Sequence, residues 1–275
     1  MLGNMHLTDR TVSALREERM SENPVRMEMH GHVALVTLDR PPVNALNRHA
    51  RAEIIRTFDV ISQDSNIRCA VLTGAGRTFC AGADLKDRPD PATPGDFLEH
   101  NRITRETGNA IRECSKPVIA AVNGPALGAG LGLMAACDIY YASENAVFGM
   151  PEINVGLAGG ASMLHTLFGR STMRRMFYTG VRLTARELLE RSIIEAVTAP
   201  DDLVPTAMAV AQDIAGKSPI AILYAKQAMT ISEYMPQRDA YRMEQNYTMA
   251  LAETEDAKEA RMAFLEKREP QFKGR

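Results

Sequence analysis

Three stretches of this 275-residue chain carry residue types that could do chemistry. The first is Gly124-Pro-Ala-Leu-Gly-Ala-Gly-Leu-Gly-Leu133, set between the apolar run Val118–Val122 and the apolar stretch Met134–Tyr140. Asn123-Gly124 is a turn dipeptide, and helix-compatible Leu131, Leu133, Met134, Ala135 and Ala136 follow it. A strand feeding a Gly-rich turn at a helix N-terminus presents free backbone N–H groups and the positive end of the helix dipole. Such a place can hold an anion, or an oxygen that becomes negative during reaction. The competing reading is that the glycines only permit tight packing. The second stretch is another small-residue turn, Ala81–Leu85, beside the apolar anchor Phe79. The third is one carboxylate in an apolar setting, Glu152 in Phe148-Gly-Met-Pro-Glu-Ile153. Pro151 fixes the chain before it, and Ile153 and Val155 predict burial around it. Burial raises a carboxyl pKa, which suits proton transfer near neutral pH; the competing reading is a solvated loop glutamate.

The elements that must position these groups follow from periodicity. Val25–Leu38 reads as two strands about a turn at His30-Gly31. Asp39-Arg-Pro-Pro-Val-Asn44 breaks them, and Asn44 or Asn47 caps a helix with Ile54, Ile55, Phe58 and Ile61 on one face. The strand Cys69–Thr73 follows, then a Pro-rich loop Lys86–Gly95, a helix over Phe97–Cys114 and the strand Val118–Val122. Strand, crossover helix and strand argue for parallel pairing. Cys137–Tyr141 and Ala146–Gly156 add another step. Beyond Gly159 the chain predicts helices over Ser162–Phe168, Ser171–Thr179, Thr184–Arg191 with a capping box, Leu203–Ala215, Ile220–Tyr234 and Asp239–Lys267, interrupted by a short strand at Ile193–Val197. The division expected is a tail over 1–24, a core over 25–217 and a helical unit over 218–275. The Met-rich stripe of that last unit (Met229, Met235, Met243, Met249, Met262) reads as core or subunit interface rather than a cofactor box.

Composition excludes several classes. Lys plus Arg number 32 against 34 acidic residues, so no overall charge draws the chain to nucleic acid or acidic membranes. No apolar run approaches a membrane span. The first residues lack the apolar centre of a secretory signal, and Cys69, Cys80, Cys114 and Cys137 are scattered without CxxC pairing. Reduced thiols and a cytoplasmic location are expected. The six histidines form no metal-ligand set, and P-loop and GxSxG patterns are absent. No metal is expected. Gly128-Ala-Gly-Leu-Gly lacks the spacing of a dinucleotide fingerprint.

From Val25 to Arg275 the chain resembles the crotonase superfamily, the enoyl-CoA hydratase/isomerase group. Five signatures occur in order: VTLDRPPVNALN (Val36–Asn47), FCAGADL (Phe79–Leu85), KPVIAAVNG (Lys116–Gly124) with ALGAG (Ala126–Gly130), FGMPEI (Phe148–Ile153) and FLEKR (Phe264–Arg268). Each alone is weak; their order over most of the chain is specific. The resemblance implies an α/β fold, a crotonase-like spiral of ββα turns with a C-terminal helical oligomerisation domain that forms trimers, usually stacked as hexamers. It implies an acyl-CoA substrate, with coenzyme A part of that substrate and no separate cofactor. It also implies an oxyanion hole of two backbone N–H groups, at Ala83 and Ala129. Val43, Ala81, Asp84 and Leu85 would line the adenine and pantetheine path. Phe264 and Lys267, one turn apart on a helix face, would reach CoA, commonly in a neighbouring subunit.

Two departures bear on the reaction. Hydratases of this group carry two glutamates; Glu152 matches one, while Gly132 stands at the position of the other. The Gly-rich turn after Gly156 is also shorter, and Ser162, Met163, Leu164 and His165 replace the Gln, Arg and Thr residues often found there. A single carboxylate can remove a proton at one carbon and return it at another, so double-bond isomerisation is favoured. The alternatives are an enoyl-CoA hydratase using one carboxylate and a catalytically silent CoA-thioester binding protein.

Overall fold

The computed structural model describes residues 23–275; the expected tail lies almost wholly outside them. Strands β1 (Val25–His30) and β2 (Val33–Leu38) form an antiparallel hairpin. Helix α1 (Arg48–Gln63) then crosses to β3 (Cys69–Gly74), which pairs parallel with β2. Asn47 caps α1 through its side chain, which accepts from the Ala50 N–H at 2.8 Å. Asn44 does something else. Its amide donates to the Thr78 and Ala75 carbonyls at 2.7 and 3.1 Å and accepts from the Arg40 N–H at 3.0 Å. This buried side chain ties the loop before α1 to the loop after β3.

Helix α2 (Asp96–Arg112) leads to β4 (Val118–Val122), and β5 (Ala126–Leu127) runs straight into α3 (Ala129–Ala136). Then come β6 (Ile139–Ser143), β7 (Val147–Gly149), helix α4 (Arg170–Thr179), β8 (Arg182–Thr184), helix α5 (Ala185–Glu190) and β9 (Ala196–Thr198). The main sheet has the order β1-β2-β3-β4-β6-β9, parallel from β2 onward; β5, β7 and β8 make a second, small sheet.

β3 and β4 are buried on both faces, as expected for apolar parallel strands. Cys69, Val71, Ile119 and Ala121 pack against helix α6 (Leu203–Ala215) through Leu203, Ala207, Ala211 and Ala215. Ala70, Leu72, Val118, Ala120 and Val122 face the larger core, which holds Ile54, Phe58 and Ile61 of α1. Ala at 207, 211 and 215 recurs every turn, so α6 can lie close on the sheet. The four thiols are free and buried.

Three helices close the chain: α7 (Pro219–Ser232), α8 (Gln237–Ala252) and α9 (Glu255–Glu266). Buried Lys226 of α7 pins them to the core, its Nζ 2.7 Å from Asp138, which also accepts from the Val118 N–H at 2.7 Å. The single helix expected over Asp239–Lys267 is two, because Thr254 accepts from the Ala257 N–H and starts a new helix. The helix expected over Ser162–Phe168 is only a 3₁₀ turn, Ala161–Leu164. The strand expected at Ile193–Val197 forms over Ala196–Thr198. Thr184 and Glu187 do make the capping box of α5. No described helix is long and apolar enough to cross a membrane.

Candidate active site

The two small-residue turns meet beyond the C-terminal ends of β3 and β4, where parallel sheets place ligands. Cys80 and Ala126 form a parallel bridge: the Cys80 N–H donates to Pro125 O at 3.1 Å, and the Leu127 N–H donates to Cys80 O at 3.0 Å. Gly82 has φ +102°, and a Cβ there would lie 2.8 Å from Leu127 O and 3.6 Å from Ala129 N. The backbones touch, so only glycine fits.

On the other side Leu46 bridges Ala83. The Leu46 N–H donates to Gly82 O, and Leu46 O accepts from the Asp84 N–H. This ladder leaves the Ala83 N–H unused. Ala129 opens α3, so its N–H has no intrahelical acceptor. The structure thus brings the two expected donors into neighbouring turns.

Glu152 is delivered by pairing rather than by its own neighbours. Leu127 is in register with Gly149, and the Gly128 N–H donates to Gly149 O at 2.9 Å. Three residues on, within the 3₁₀ turn Pro151–Val155, the Glu152 carboxylate arrives over Gly128. A Cβ on Gly128 would lie 2.3 Å from Glu152 Oε1. Oε2 is out of solvent and has no hydrogen-bond partner among the described residues. Burial pushes this carboxyl up from its ordinary range, offset in part by the residue's own backbone N–H. The expectation that Ile153 and Val155 bury it is corrected: both are exposed. The described neighbour of the carboxylate is the Gly128 turn instead.

At Gly132 a side chain would meet the tip of Met163, itself a flexible and exposed side chain. The methionine Cε lies 2.9 Å from a Cβ built at Gly132 and 3.2 Å from one built at Gly108 of α2. Ser162 and His165 point to solvent and Leu164 is buried.

The remaining expected residues are spread out. The Val43 carbonyl accepts from the Ala81 N–H, fixing the edge of the same turn. Asp84 accepts from the Lys86 N–H and is engaged by Arg40 at 2.7 Å, and these bonds, the Lys86 N–H first, hold its carboxyl below the usual range. Leu85 is exposed. Phe264 is 83% exposed on α9, far from being a core residue. Lys267 is not on that helix face; it is the left-handed C-cap just past it, at φ 55°. Sequence reasoning missed Asn44 as a loop tie and Met163 as the neighbour of Gly132. A lone Asn in a Pro-rich turn signals the first; nothing local signals the second.

Backbone donors at a helix start beside one unpaired carboxylate make a site for acid–base chemistry next to a developing oxyanion. The family model described as enoyl-CoA hydratase/isomerase matches residues 28–275, so the chain belongs to the enoyl-CoA hydratase/isomerase family, in the crotonase superfamily. It is 41% identical to YngF of Bacillus subtilis over 252 residues, covering 88% of this chain and 95% of that protein. It is 36% identical over 247 residues to the 2,3-dehydroadipyl-CoA hydratase of Escherichia coli, covering 88% and 96%. The crystal structure of an enoyl-CoA hydratase from Bacillus anthracis superposes with a TM-score of 0.85 at 33% identity, covering 92% of this chain and all of that one.

Proposed function

We propose that the protein acts on acyl-CoA thioesters through an enolate, with Glu152 as its single side-chain acid–base. The thioester oxygen accepts from the Ala83 and Ala129 N–H groups. Glu152 takes a proton from C2 of a 3-enoyl-CoA, the electron pair delocalises onto the oxygen, and the dienolate takes the proton back at C4. The product is the 2-enoyl-CoA, and Glu152 ends as it began. The observation that carries this reading is the pairing of an unpartnered Glu152 carboxylate with a thioether against Gly132. Gly132 supplies no side chain there and a methionine tip lies over it, so water has no second carboxylate to direct it.

A purified sample given a 3-enoyl-CoA is expected to form the 2-enoyl-CoA faster than it hydrates the latter. Hydration of a 2-enoyl-CoA with no movement of a 3,4 double bond supports the second reading, a one-carboxylate hydratase, which the hydratase names among its relatives favour. Absence of any α-proton exchange in heavy water would leave only a silent binding protein. Assembly as a trimer or dimer of trimers is part of the proposal. Met229, Met249, Met262, Phe264 and Leu265 expose more apolar surface than an isolated subunit is expected to leave in water.

A further inference from the structure

Helices α1 and α2 hold a group of polar side chains that the chemistry above does not use. Arg51, in the first turns of α1, is only 3% exposed. A guanidinium keeps its proton, yet among the described residues this one forms no side-chain hydrogen bond and no ion pair. Arg48 is paired: its Nη2 lies 2.5 Å from Asp96 and its Nε 3.8 Å from Asp87, its backbone N–H donates to Asp87, and its buried Nε makes no hydrogen bond among the described residues. Asp96 and Asp87 lie on Arg48; Asp87 also acts on Arg51 through space, but among the described residues no carboxylate comes within ion-pair distance of the Arg51 guanidinium. On α2, His100 Nδ1 and Thr104 Oγ1 are also out of solvent and unpaired. Burial first, then Arg51 and Arg48, hold the His100 imidazole below its ordinary value and so neutral.

The location is informative. His100, Thr104 and Gly108 recur every four residues and share one face of α2. The Gly108 end of that face touches Met163, which touches Gly132, one turn into α3 from Ala129. At about 1.5 Å per residue the face climbs roughly 6 Å to Thr104 and roughly 12 Å to His100. Arg51 lies close enough to act on the thiol of Cys80, the residue that precedes Ala81-Gly82-Ala83.

We infer that this group forms the far end of the acyl pocket and receives a carboxylate, so that the substrate class is an acyl-CoA of medium length whose chain ends in a second, free carboxyl group. The inference rests on the thioester reading above and names its substrate. A buried charge without a partner is costly. A guanidinium fork matches a carboxylate in geometry and charge. The Thr104 hydroxyl and one ring nitrogen of neutral His100 supply further donors.

Saturated esters test this without turnover. Hexanedioyl-CoA is expected to bind about 10–100-fold more tightly than hexanoyl-CoA by calorimetry, the range for hydrogen bonds to charged groups. In Arg51→Met that ratio should collapse toward one. In Arg105→Met, which changes an exposed arginine of α2, it should persist. The melting temperature of Arg51→Met should not fall, because the buried charge removed makes no hydrogen bond among the described residues. Equal binding of the two esters by the wild type overturns the inference and leaves the thioester reading standing. Binding of neither overturns both. A destabilised Arg51→Met that loses both esters equally shows that the arginine only supports the fold, and also overturns it.

Discussion

The Glu152 carboxylate lies against the backbone of Gly128, so closely that a Cβ on Gly128 would stand 2.3 Å from Oε1. The acid–base group and the turn that starts α3 are thereby held as one unit. Gly128 also has φ 53° and ψ −121°, a conformation that L side chains rarely adopt.

Gly128→Ala should therefore act twice. Backbone strain is expected to cost about 1–3 kcal/mol of stability. Displacement of Glu152 by an ångström or so should lower kcat by roughly 10²-fold. A denaturant melt and a turnover assay on one preparation check both; a stable variant with full turnover would show the contact is not needed.

Glu152→Gln keeps the size of the side chain and removes the proton exchange. The rate should fall by about 10²–10⁴ while ester binding persists. The sign of the pH effect follows from the raised carboxyl. The folded state holds this proton more tightly than the unfolded chain, so stability falls as pH rises from 4.5 through the folded value. Ionised Glu152 is then a liability at pH 7. The glutamine variant should melt higher than wild type at pH 7, with the difference gone well below pH 4.5. The acid limb of the wild-type rate profile, above the usual carboxylate range, should vanish from the residual activity.

Gly132→Glu alone should not create a hydratase, because its new side chain meets the Met163 methyl at the Cβ. That methyl is the far end of a flexible, exposed side chain, so the stability cost is expected to be about 1 kcal/mol or less. The double change Gly132→Glu with Met163→Ala opens the space and should raise the ratio of hydration to isomerisation. If the single variant already hydrates efficiently, Met163 is not the obstacle.

Lys267→Ala tests the CoA contact that the family resemblance assigns to the end of α9. The affinity for CoA esters should fall about 10–100-fold, the range for a hydrogen bond to a charged group. The melt should shift little, since exposed charges contribute little to stability. Because Lys267 is a left-handed C-cap, Lys267→Gly serves as the backbone-relaxed control. Unchanged affinity in both variants would remove the assignment.

Local pattern in the sequence determined a good deal of this protein. Val118–Val122 and Leu203–Ala215 form where apolar runs and Ala spacing place them, and the Thr184–Glu187 capping box is visible in four residues. The ordered motifs were enough to indicate the family, and they pick out the two small-residue turns and the Glu152 segment that the fold packs together. Tertiary structure decided what lies against them. The Glu152 carboxylate lies against Gly128, which is 24 positions away, while adjacent Ile153 and Val155 are exposed. The break at Thr254 divides a stretch whose periodicity reads as continuous, since a side-chain cap competes with the next helical turn. Met163 reaches Gly132 and Gly108 from a turn that local pattern reads as helix. Arg51 shows the same limit. A lone arginine on an amphipathic helix looks solvated, and only the packing of α1 beside α2 buries its charge, because burial and pairing depend on residues far apart in the chain.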